Sequence, residues 1–309
     1  MIKRTLYFGN PAYLKTANEQ LVVEVVESVH VNSQGAEVQK TTKTIPIEDI
    51  GLLIIDHQQV TITQALLSKL LANNTAVITC DDTHHPTGMM LTLDGHSLQS
   101  QKFQAQVDAT LPLKKQLWQQ TVAAKIGNQA VMLAFRRQEN KLLLSLAASV
   151  KSGDSENAEA QAAVYYWKRV FPDFLEFRRE RYGPPPNNLL NYGYAILRAL
   201  VARSLVGSGL LPTLGIHHRN QYNAFCLADD VMEPYRPYVD YVVFQIVRNN
   251  GQNLEMSPSM KKALLEVPAM DVVIDGKKSP LMNAVQRTTA SLAKCFEGTS
   301  RKLLYPEFQ

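Results

Sequence analysis

The chain has 309 residues, of which 45% are hydrophobic and 19% charged, a composition typical of a globular protein with two domains. Its apolar runs fall far short of the roughly 20 residues of a bilayer helix, and its first residues lack the apolar core of a signal peptide. We therefore expect a cytoplasmic protein with no membrane partner. Three isolated cysteines without a CxxC pair argue against a disulfide framework and a thiolate zinc site.

Charge is distributed unevenly along the chain. Residues 1–100 carry 6 Lys/Arg against 10 Asp/Glu, whereas residues 101–309 carry 26 against 18. A solvated helix face explains any single basic residue, but several basic clusters together make nucleic acid a candidate partner of the second part. These clusters are Arg136-Arg137, Lys168-Arg169, Arg178-Arg179-Arg181, Lys261-Lys262 and Lys277-Lys278.

The first part of the chain has the patterns of a small sheet domain. The runs TLYFG, QLVVEVVESVHV, IGLLIID and TAVITCD predict strands because they are rich in β-branched and apolar residues, and NSQG predicts a turn. TITQALLSKLLANN predicts one helix, with Thr61 or Thr63 as N-cap and Asn73-Asn74 as the stop. We predict a β-rich domain over residues 1–95.

The second part has helical periodicity. RYGPPPNN interrupts it, since three prolines cannot continue a helix, and Asn187 or Asn188 is the expected cap of the next helix. GSG at 207–209 is expected to end that helix. The sequence predicts an α+β protein: a small β-rich N-terminal domain followed by a larger all-helical domain over residues 96–309. The predicted helical segments lie near 109–127, 129–150, 155–170, 188–206 and 230–249.

Several common site motifs are missing from the sequence. Neither GxxxxGKS nor GxGxxG occurs, which argues against a nucleoside triphosphate or dinucleotide cofactor, and HExxH is absent as well. The chemistry must therefore come from residues outside these motifs.

The segment GIHHRNQYNAFCLADDVMEPYRP, residues 215–237, combines histidine with acids. Asp230 and Glu233 are three residues apart, so on a helix both carboxylates project from one face and can meet one cation. His218 lies in the run that enters this helix. One imidazole with carboxylate oxygens suits Mg²⁺ or Mn²⁺. Alternatively, the acids complement the helix dipole and the histidine only packs.

A second acidic segment is KSGDSENAEAQAAVYYWKRVF. Asp154 or Ser155 is expected to cap a helix whose first turns carry Glu156 and Glu159. Glu156 is interpreted as complementing the helix dipole, and the same interpretation remains open for Glu159. Small residues after Glu159 would let another helix, with further ligands, approach closely: Ala160, Ala162 and Ala163.

Three blocks of the sequence together resemble a known family. GDSENAEAQAAVYYW is similar to its Asn-x-Glu-Gly/Ala-x-Ala-Ala motif, and NNLLNYGYAILRALVARSLVGSGLLPTLGIHH to its central helix and histidine. LADDVMEPYRPYVD is similar to its Asp-Leu-Met-Glu-Pro-Phe-Arg-Pro motif. The family is CRISPR-associated protein one, the spacer integrase. The resemblance covers nearly the whole chain, and EPYRPYVDYVV is most like the type II subgroup.

The resemblance implies a set of site residues. The spacing of 12 residues to Asp230 selects His218 as the ligand and leaves His217 with a structural role, while Asp230 assists as a further metal ligand. Arg236 is expected to brace the carboxylates. The implied metal ligands, which are also the catalytic residues, are Glu159, His218 and Glu233.

The function implied by the resemblance is that of a metal-dependent DNA endonuclease and integrase. With Mg²⁺ or Mn²⁺ it would insert short foreign DNA into a CRISPR array by 3′-hydroxyl transesterification. The implied partners are double-stranded DNA (protospacer and CRISPR repeat), a second copy bound through the β-rich domain, a dimer of CRISPR-associated protein two, and other type II CRISPR proteins. Two alternatives remain open: a metal-dependent nuclease that hydrolyses branched DNA, and a non-catalytic DNA-binding scaffold whose acids are structural.

Overall fold

The computed structural model describes residues 3–32, 35–171, 174 and 177–308. The chain divides into two compact units, Met1–Leu93 and Asp94–Gln309. Part of the predicted turn NSQG, residues 33 and 34, lies outside the described residues. No helix in the described part of the chain is long and apolar enough to cross a membrane.

The first unit contains two four-stranded sheets. One has the strand order β1-β5-β7-β8 and the other β4-β3-β2-β6. Strand β5 lies between two parallel neighbours and is buried at every position but its last, which explains its continuous apolar run. The strands are β1 (Arg4–Phe8), β2 (Ala12–Ala17), β3 (Gln20–Asn32), β4 (Gly35–Pro46), β5 (Ile50–Ile55), β6 (Val60–Ile62), β7 (Ala76–Cys80) and β8 (Pro86–Met90).

One helix, α1 (Gln64–Ala72), completes the core of this unit. Thr63 is its N-cap, because its side chain accepts a hydrogen bond from the Leu66 amide, and this decides between the two predicted caps. The helix ends at Asn73, as predicted. Leu66 and Leu70, four residues apart, lie on one helix face and are fully buried in the core.

The second unit is mainly helical, which confirms the α+β class with a β-rich N-terminal region and a helical C-terminal part. The short helix at 99–107 and the two near the C-terminus were not predicted from the sequence. The helices are α2 (Gln99–Val107), α3 (Leu111–Phe135), α4 (Lys141–Ser149), α5 (Ala158–Val170), α6 (Asn187–Gly207), α7 (Cys226–Met232), α8 (Arg236–Asn250), α9 (Pro258–Leu265) and α10 (Leu281–Phe296).

The predicted helix break at residue 128 is wrong, because α3 continues through it. Asn128 would weaken an isolated helix, but here its side-chain amide donates to the carbonyl oxygens of Pro234 (2.7 Å) and Pro306 (3.0 Å). The chain breaks later, where Arg137 has a positive φ of 54°. Within α3 the side chain of Asn128 therefore has hydrogen-bond partners that are distant in the sequence.

The second unit is not all-helical, which corrects that part of the prediction. It contains a three-stranded sheet in the order β10-β9-β11. Asp275 and Gly276 both have positive φ, 52° and 67°, as a two-residue hairpin turn between β9 and β10 requires. The strands are β9 (Asp271–Ile274), β10 (Lys277–Pro280) and β11 (Pro306–Glu307).

The prediction for the start of α6 is wrong, and the prediction for its end is confirmed. The predicted asparagine cap is wrong: Pro186 precedes the helix, and Asn187 instead accepts a hydrogen bond from the Glu180 amide at 3.0 Å. At the other end, Gly209 has φ 76° and the Leu210 amide donates to the Leu205 carbonyl at 2.9 Å. This is a Schellman ending, which confirms the predicted stop at 207–209.

Candidate functional site

Helix α5 begins later than predicted, at Ala158, after Asn157 in the left-handed region. Asp154 nevertheless supplies the cap, since its carboxylate accepts hydrogen bonds from the amides of Ala158 (2.8 Å) and Glu159 (3.1 Å). Ser155 does not take this role. The Asp154 carboxylate therefore directly holds the backbone of Glu159, the first predicted metal ligand.

The predictions for Glu156 and for the small residues after Glu159 are only partly confirmed. Glu156 lies before the helix and forms an exposed ion pair with Lys151, so its predicted place in the first turns is wrong. Of the three small residues, Ala162 is fully buried, as close packing requires, whereas Ala160 is exposed.

Glu159 and Glu233 converge on one cation, the ammonium of Lys125. The Nζ atom of Lys125 lies 2.6 Å from Glu159 Oε1 and 2.5 Å from Glu233 Oε2. Burial by itself lowers the pKa of Lys125, but Glu233 and Glu159 outweigh it, and the pKa is raised. The ammonium is therefore charged and joins α3 to α5 and to the turn after α7.

Glu233 begins a 3-10 turn, Glu233–Tyr235, that separates α7 from α8, so the segment predicted as one helix from 230 to 249 is interrupted. Its Oε1 atom accepts a hydrogen bond from Arg236 Nε at 2.8 Å, which confirms Arg236 as the expected brace. Burial would raise the pKa of Glu233, but Arg236 and Lys125 lower it to about 2. Its buried Oε2 contacts Lys125 without the angle of a hydrogen bond.

Asp230 is fully buried and holds the histidine segment. Its carboxylate accepts hydrogen bonds from the amides of His217 (2.9 Å) and His218 (3.3 Å), and its Oδ1 lies 2.5 Å from His218 Nδ1. This bond raises the pKa of His218. A Cβ at Gly215 would lie 2.4 Å from the His218 carbonyl oxygen, so the tight loop that presents His218 requires glycine.

The two adjacent histidines have different surroundings. His217 stacks on Trp118 of α3 with ring centroids 4.2 Å apart and an angle of 4°, consistent with its expected structural role. The His218 ring is nearly perpendicular to the Trp118 ring, with the ring centroids 5.7 Å apart, and 45% of the His218 side chain is exposed. Both histidines are exposed, but the His217 ring is held against Trp118, so His218 is the better placed of the two to contact a ligand or substrate.

The predicted site residues form two neighbouring pairs. Asp230 and His218 make one pair, and Glu159 and Glu233 share Lys125 in the other. The pairs are close enough that both glutamates contribute to the raised pKa of His218. Among the described residues no three His, Cys, Asp or Glu side chains are grouped so that they could hold a metal ion.

Helix α3 supplies site residues that the sequence analysis missed. Trp118 and Lys125 are both buried and lie about two turns apart on one face of α3. LWQQTVAAKIGNQ has the pattern of an ordinary amphipathic helix. The available signal was a lysine in the buried stripe, because lysine is almost never fully buried without a partner.

A buried hydrogen-bond network around Asp240 packs against Arg236 of the site. Tyr166 and Tyr194 both donate their hydroxyls to Asp240, and the Tyr166 bond is 2.8 Å long. The guanidinium of Arg236 lies 4.5 Å from the centre of the Tyr194 ring. Burial raises the pKa of Asp240 to about 6, although both tyrosines lower it.

We expect Asp240→Asn to change how stability depends on pH. The folded-state pKa of Asp240 lies above its unfolded value, so folding favours the neutral acid. The stability that this group contributes is therefore complete below about pH 4 and is lost as the pH rises through about 6. Between about pH 4.5 and about pH 7.5, the free energy of unfolding of the variant should therefore rise by about 2 kcal/mol relative to that of wild type. Urea unfolding at a series of pH values measures this, with the exposed Asp82→Asn as control. Parallel pH profiles would show that Asp240 does not titrate in this range.

The fold is shared with proteins of known structure. A casposase bound to integration product superposes with a TM-score of 0.77 at 20% identity, over 98% of this chain and 92% of that one. A Cas6-RT-Cas1–Cas2 complex gives a TM-score of 0.71 at 20% identity, over 99% of this chain and 36% of that one. These similarities define the architecture.

Sequence similarity defines the family. The family model for CRISPR associated protein Cas1 matches residues 6–274. The CRISPR-associated endonuclease Cas1 of Neisseria meningitidis serogroup C (strain 8013) is 34% identical over 310 aligned residues, which cover 99% of this chain and 97% of that protein. The chain belongs to the CRISPR-associated protein Cas1 family, which confirms the resemblance stated above.

Proposed function

We propose that this chain is a metal-dependent DNA endonuclease and integrase that inserts short foreign DNA into a CRISPR array by 3′-hydroxyl transesterification. The observation that carries the proposal is the convergence of Glu159 and Glu233 on one cation beside the pair formed by His218 and Asp230. Family membership adds to it, since the related protein of Neisseria meningitidis is named an endonuclease.

The residue types of the donor set suit a divalent cation, although Lys125 and Asp230 hold them here and no three of the described side chains are grouped around a metal position. Two carboxylates already face one positive charge, and the buried Oε2 of Glu233 makes no hydrogen bond of normal geometry. Asp230 holds Nδ1 of His218, so Nε2 would be its ligand atom, a second-shell arrangement usual for metal-binding histidines. Mg²⁺ or Mn²⁺ held by Glu159, His218 and Glu233 would polarise the scissile phosphate and stabilise the leaving 3′-oxygen.

Asp230 has a different role in this proposal. Its oxygens accept hydrogen bonds from both histidine amides and contact the His218 ring. We therefore assign Asp230 to the orientation of His218, in place of the direct metal contact expected from the sequence.

Basic side chains beside the site support DNA binding. Lys115 and Arg219 line a cavity of about 250 Å³ together with Trp118 and His217. Cationic groups there would hold a phosphodiester next to His218 and so position the DNA backbone for reaction. Binding of this kind depends on charge and is indifferent to the DNA sequence.

The proposed partners are double-stranded DNA (protospacer and repeat), a second copy of this chain, and a dimer of CRISPR-associated protein two. The fold shared with a Cas6-RT-Cas1–Cas2 complex and with a casposase bound to integration product supports this set. The β-rich domain would make the homodimer contact, and residues 96–309 would form the catalytic domain. Assignment to type II systems stays a prediction.

Removal of divalent cations tests the proposed chemistry. With Mg²⁺ or Mn²⁺ we expect the protein and its small partner to cleave and join DNA, and with excess EDTA we expect neither reaction. Added Mn²⁺ should restore both. Fluorescence anisotropy with labelled duplex DNA in EDTA is the control, because the basic surface needs no metal. Joining that persists in EDTA would contradict the metal site, and DNA binding without joining under every condition would indicate a scaffold.

A further inference from the structure

The lysine between the two predicted metal ligands has no role in the site as proposed so far. Lys125 is 9% exposed, and its ammonium contacts Glu159 and Glu233 at the same time. Arg236 contacts Glu233. Lys125 is thus the cation through which the two carboxylates are joined.

The need for this cation follows from electrostatics. Two carboxylates brought together in a poorly solvated place repel each other, and one of them would take up a proton unless a positive charge lies beside both. Lys125 lies beside both carboxylates, and Arg236 lies beside Glu233 as well. The site is therefore held in its charged form by the protein's own side chains.

We propose that Lys125 is the resident counterion of this site in the absence of metal, and that a divalent cation must displace its ammonium to reach Glu159 and Glu233. The inference rests on the proposed function, since it concerns the same metal. Its consequence is that Lys125 lowers the affinity for the metal and lets the protein fold without it.

The two cations of the site differ in freedom of movement. The guanidinium of Arg236 lies against the Tyr194 ring and is bonded to Glu233, so it is fixed in place. Lys125 instead reaches the carboxylates through a flexible four-carbon stem from a long helix, α3. Rotation of this stem would take the ammonium away from both carboxylates, whereas movement of Arg236 would also break its aromatic contact.

Mn²⁺ binding to the full chain without DNA tests the proposal. Electron paramagnetic resonance of free Mn²⁺ gives the dissociation constant for wild type and for Lys125→Met. We expect the variant to bind Mn²⁺ at least about tenfold more tightly, because in wild type the ammonium must first give up its contacts with two carboxylates, and even in a water-like dielectric the loss of two such contacts has an effect of that size. Lys125→Arg keeps the charge and should bind no more tightly than wild type.

A matched control is Lys102→Met. Lys102 is buried to nearly the same degree, with 12% of its side chain exposed against 11% for Lys125, and it pairs with one carboxylate, that of Glu297, at 2.6 Å. This variant loses a buried ion pair but should bind Mn²⁺ with wild-type affinity. It separates the position of the charge from a general effect of removing a lysine.

Thermal unfolding supplies a second measurement. In EDTA, Lys125→Met should melt below wild type, because it removes the cation beside Glu159 and leaves Glu233 with Arg236 alone. Saturating Mn²⁺ should raise the melting temperature of the variant by more than it raises that of wild type. If the methionine variant unfolds without metal, Lys125→Gln, which keeps a hydrogen-bond donor but no charge, gives the same comparison of Mn²⁺ affinities.

The outcomes separate this inference from the function on which it rests. Equal or weaker Mn²⁺ binding by Lys125→Met and Lys125→Gln, together with wild-type binding that Glu159→Gln and His218→Ala weaken, would overturn the role of Lys125 alone. If wild type and all variants bind no Mn²⁺, the proposed metal site itself fails.

Discussion

Glu159→Gln and His218→Ala are each expected to reduce DNA joining more than about 100-fold, while duplex DNA is still bound. Loss of a mere supporting partner of a metal ligand typically costs about 10- to 100-fold, so loss of a ligand itself should cost more. Neither change removes a lysine or arginine, so phosphate contacts remain. Joining is measured by gel assay with the small partner and Mn²⁺, and binding by anisotropy.

His217→Ala is the matched control for the histidine. It should have a much milder effect, because the His217 ring packs on Trp118, whereas His218 is paired with Asp230 and lies close enough to both glutamates for them to raise its pKa. Should His217→Ala abolish joining and His218→Ala leave it intact, the choice of histidine is wrong.

Glu233→Ala should also abolish joining, but it needs a stability measurement beside it. The change leaves Arg236 without its carboxylate partner in a buried place and leaves Lys125 with Glu159 alone, and breaking a buried ion pair in this way costs about 3–5 kcal/mol. Glu159→Gln avoids this problem in part, because Glu233 remains paired with Lys125. Activity that falls in Glu159→Gln without a comparable loss of melting temperature therefore reports chemistry.

A donor DNA that ends in a 3′-hydroxyl is expected to be joined to a repeat-containing target, and a donor that ends in 3′-deoxy or 3′-phosphate is not. In transesterification the 3′-hydroxyl oxygen attacks phosphorus as the target's 3′-oxygen leaves, so one phosphodiester bond forms for each that breaks. The step needs no nucleoside triphosphate, in agreement with the absence of a phosphate-binding loop from the sequence. A labelled donor followed on a denaturing gel detects the covalent product.

The same assay separates an integrase from a nuclease with the same site. Because the bonds broken and formed are nearly equal in energy, the enzyme should also release the donor from a synthetic branched product. A nuclease uses water and is indifferent to the donor end. Equal target cleavage with blocked and unblocked donors, without a covalent donor-target product, would show that water is the nucleophile and that the protein is not an integrase.

Local patterns in the sequence were sufficient for much of the fold. The apolar run of β5, the Thr63 cap and the glycine stop after α6 were predicted because each depends on residues a few positions apart. The hairpin at Asp275-Gly276 carried an equally local signal, two residues that tolerate positive φ between short β-rich runs, but the helical surroundings hid it. The histidine and acid motifs were equally local, and they identified the family.

What only the tertiary structure decided is which charges meet. Lys125 lies 34 residues before Glu159 and still farther from Glu233, and no local pattern indicates that one ammonium joins them. Likewise Asp230 and Glu233, three residues apart, serve different partners because the chain turns between them. The sequence by itself determined the class of fold and the residue types of the site. Their pairing required the packed chain, because a buried charge is tolerated only where the fold brings it an opposite one.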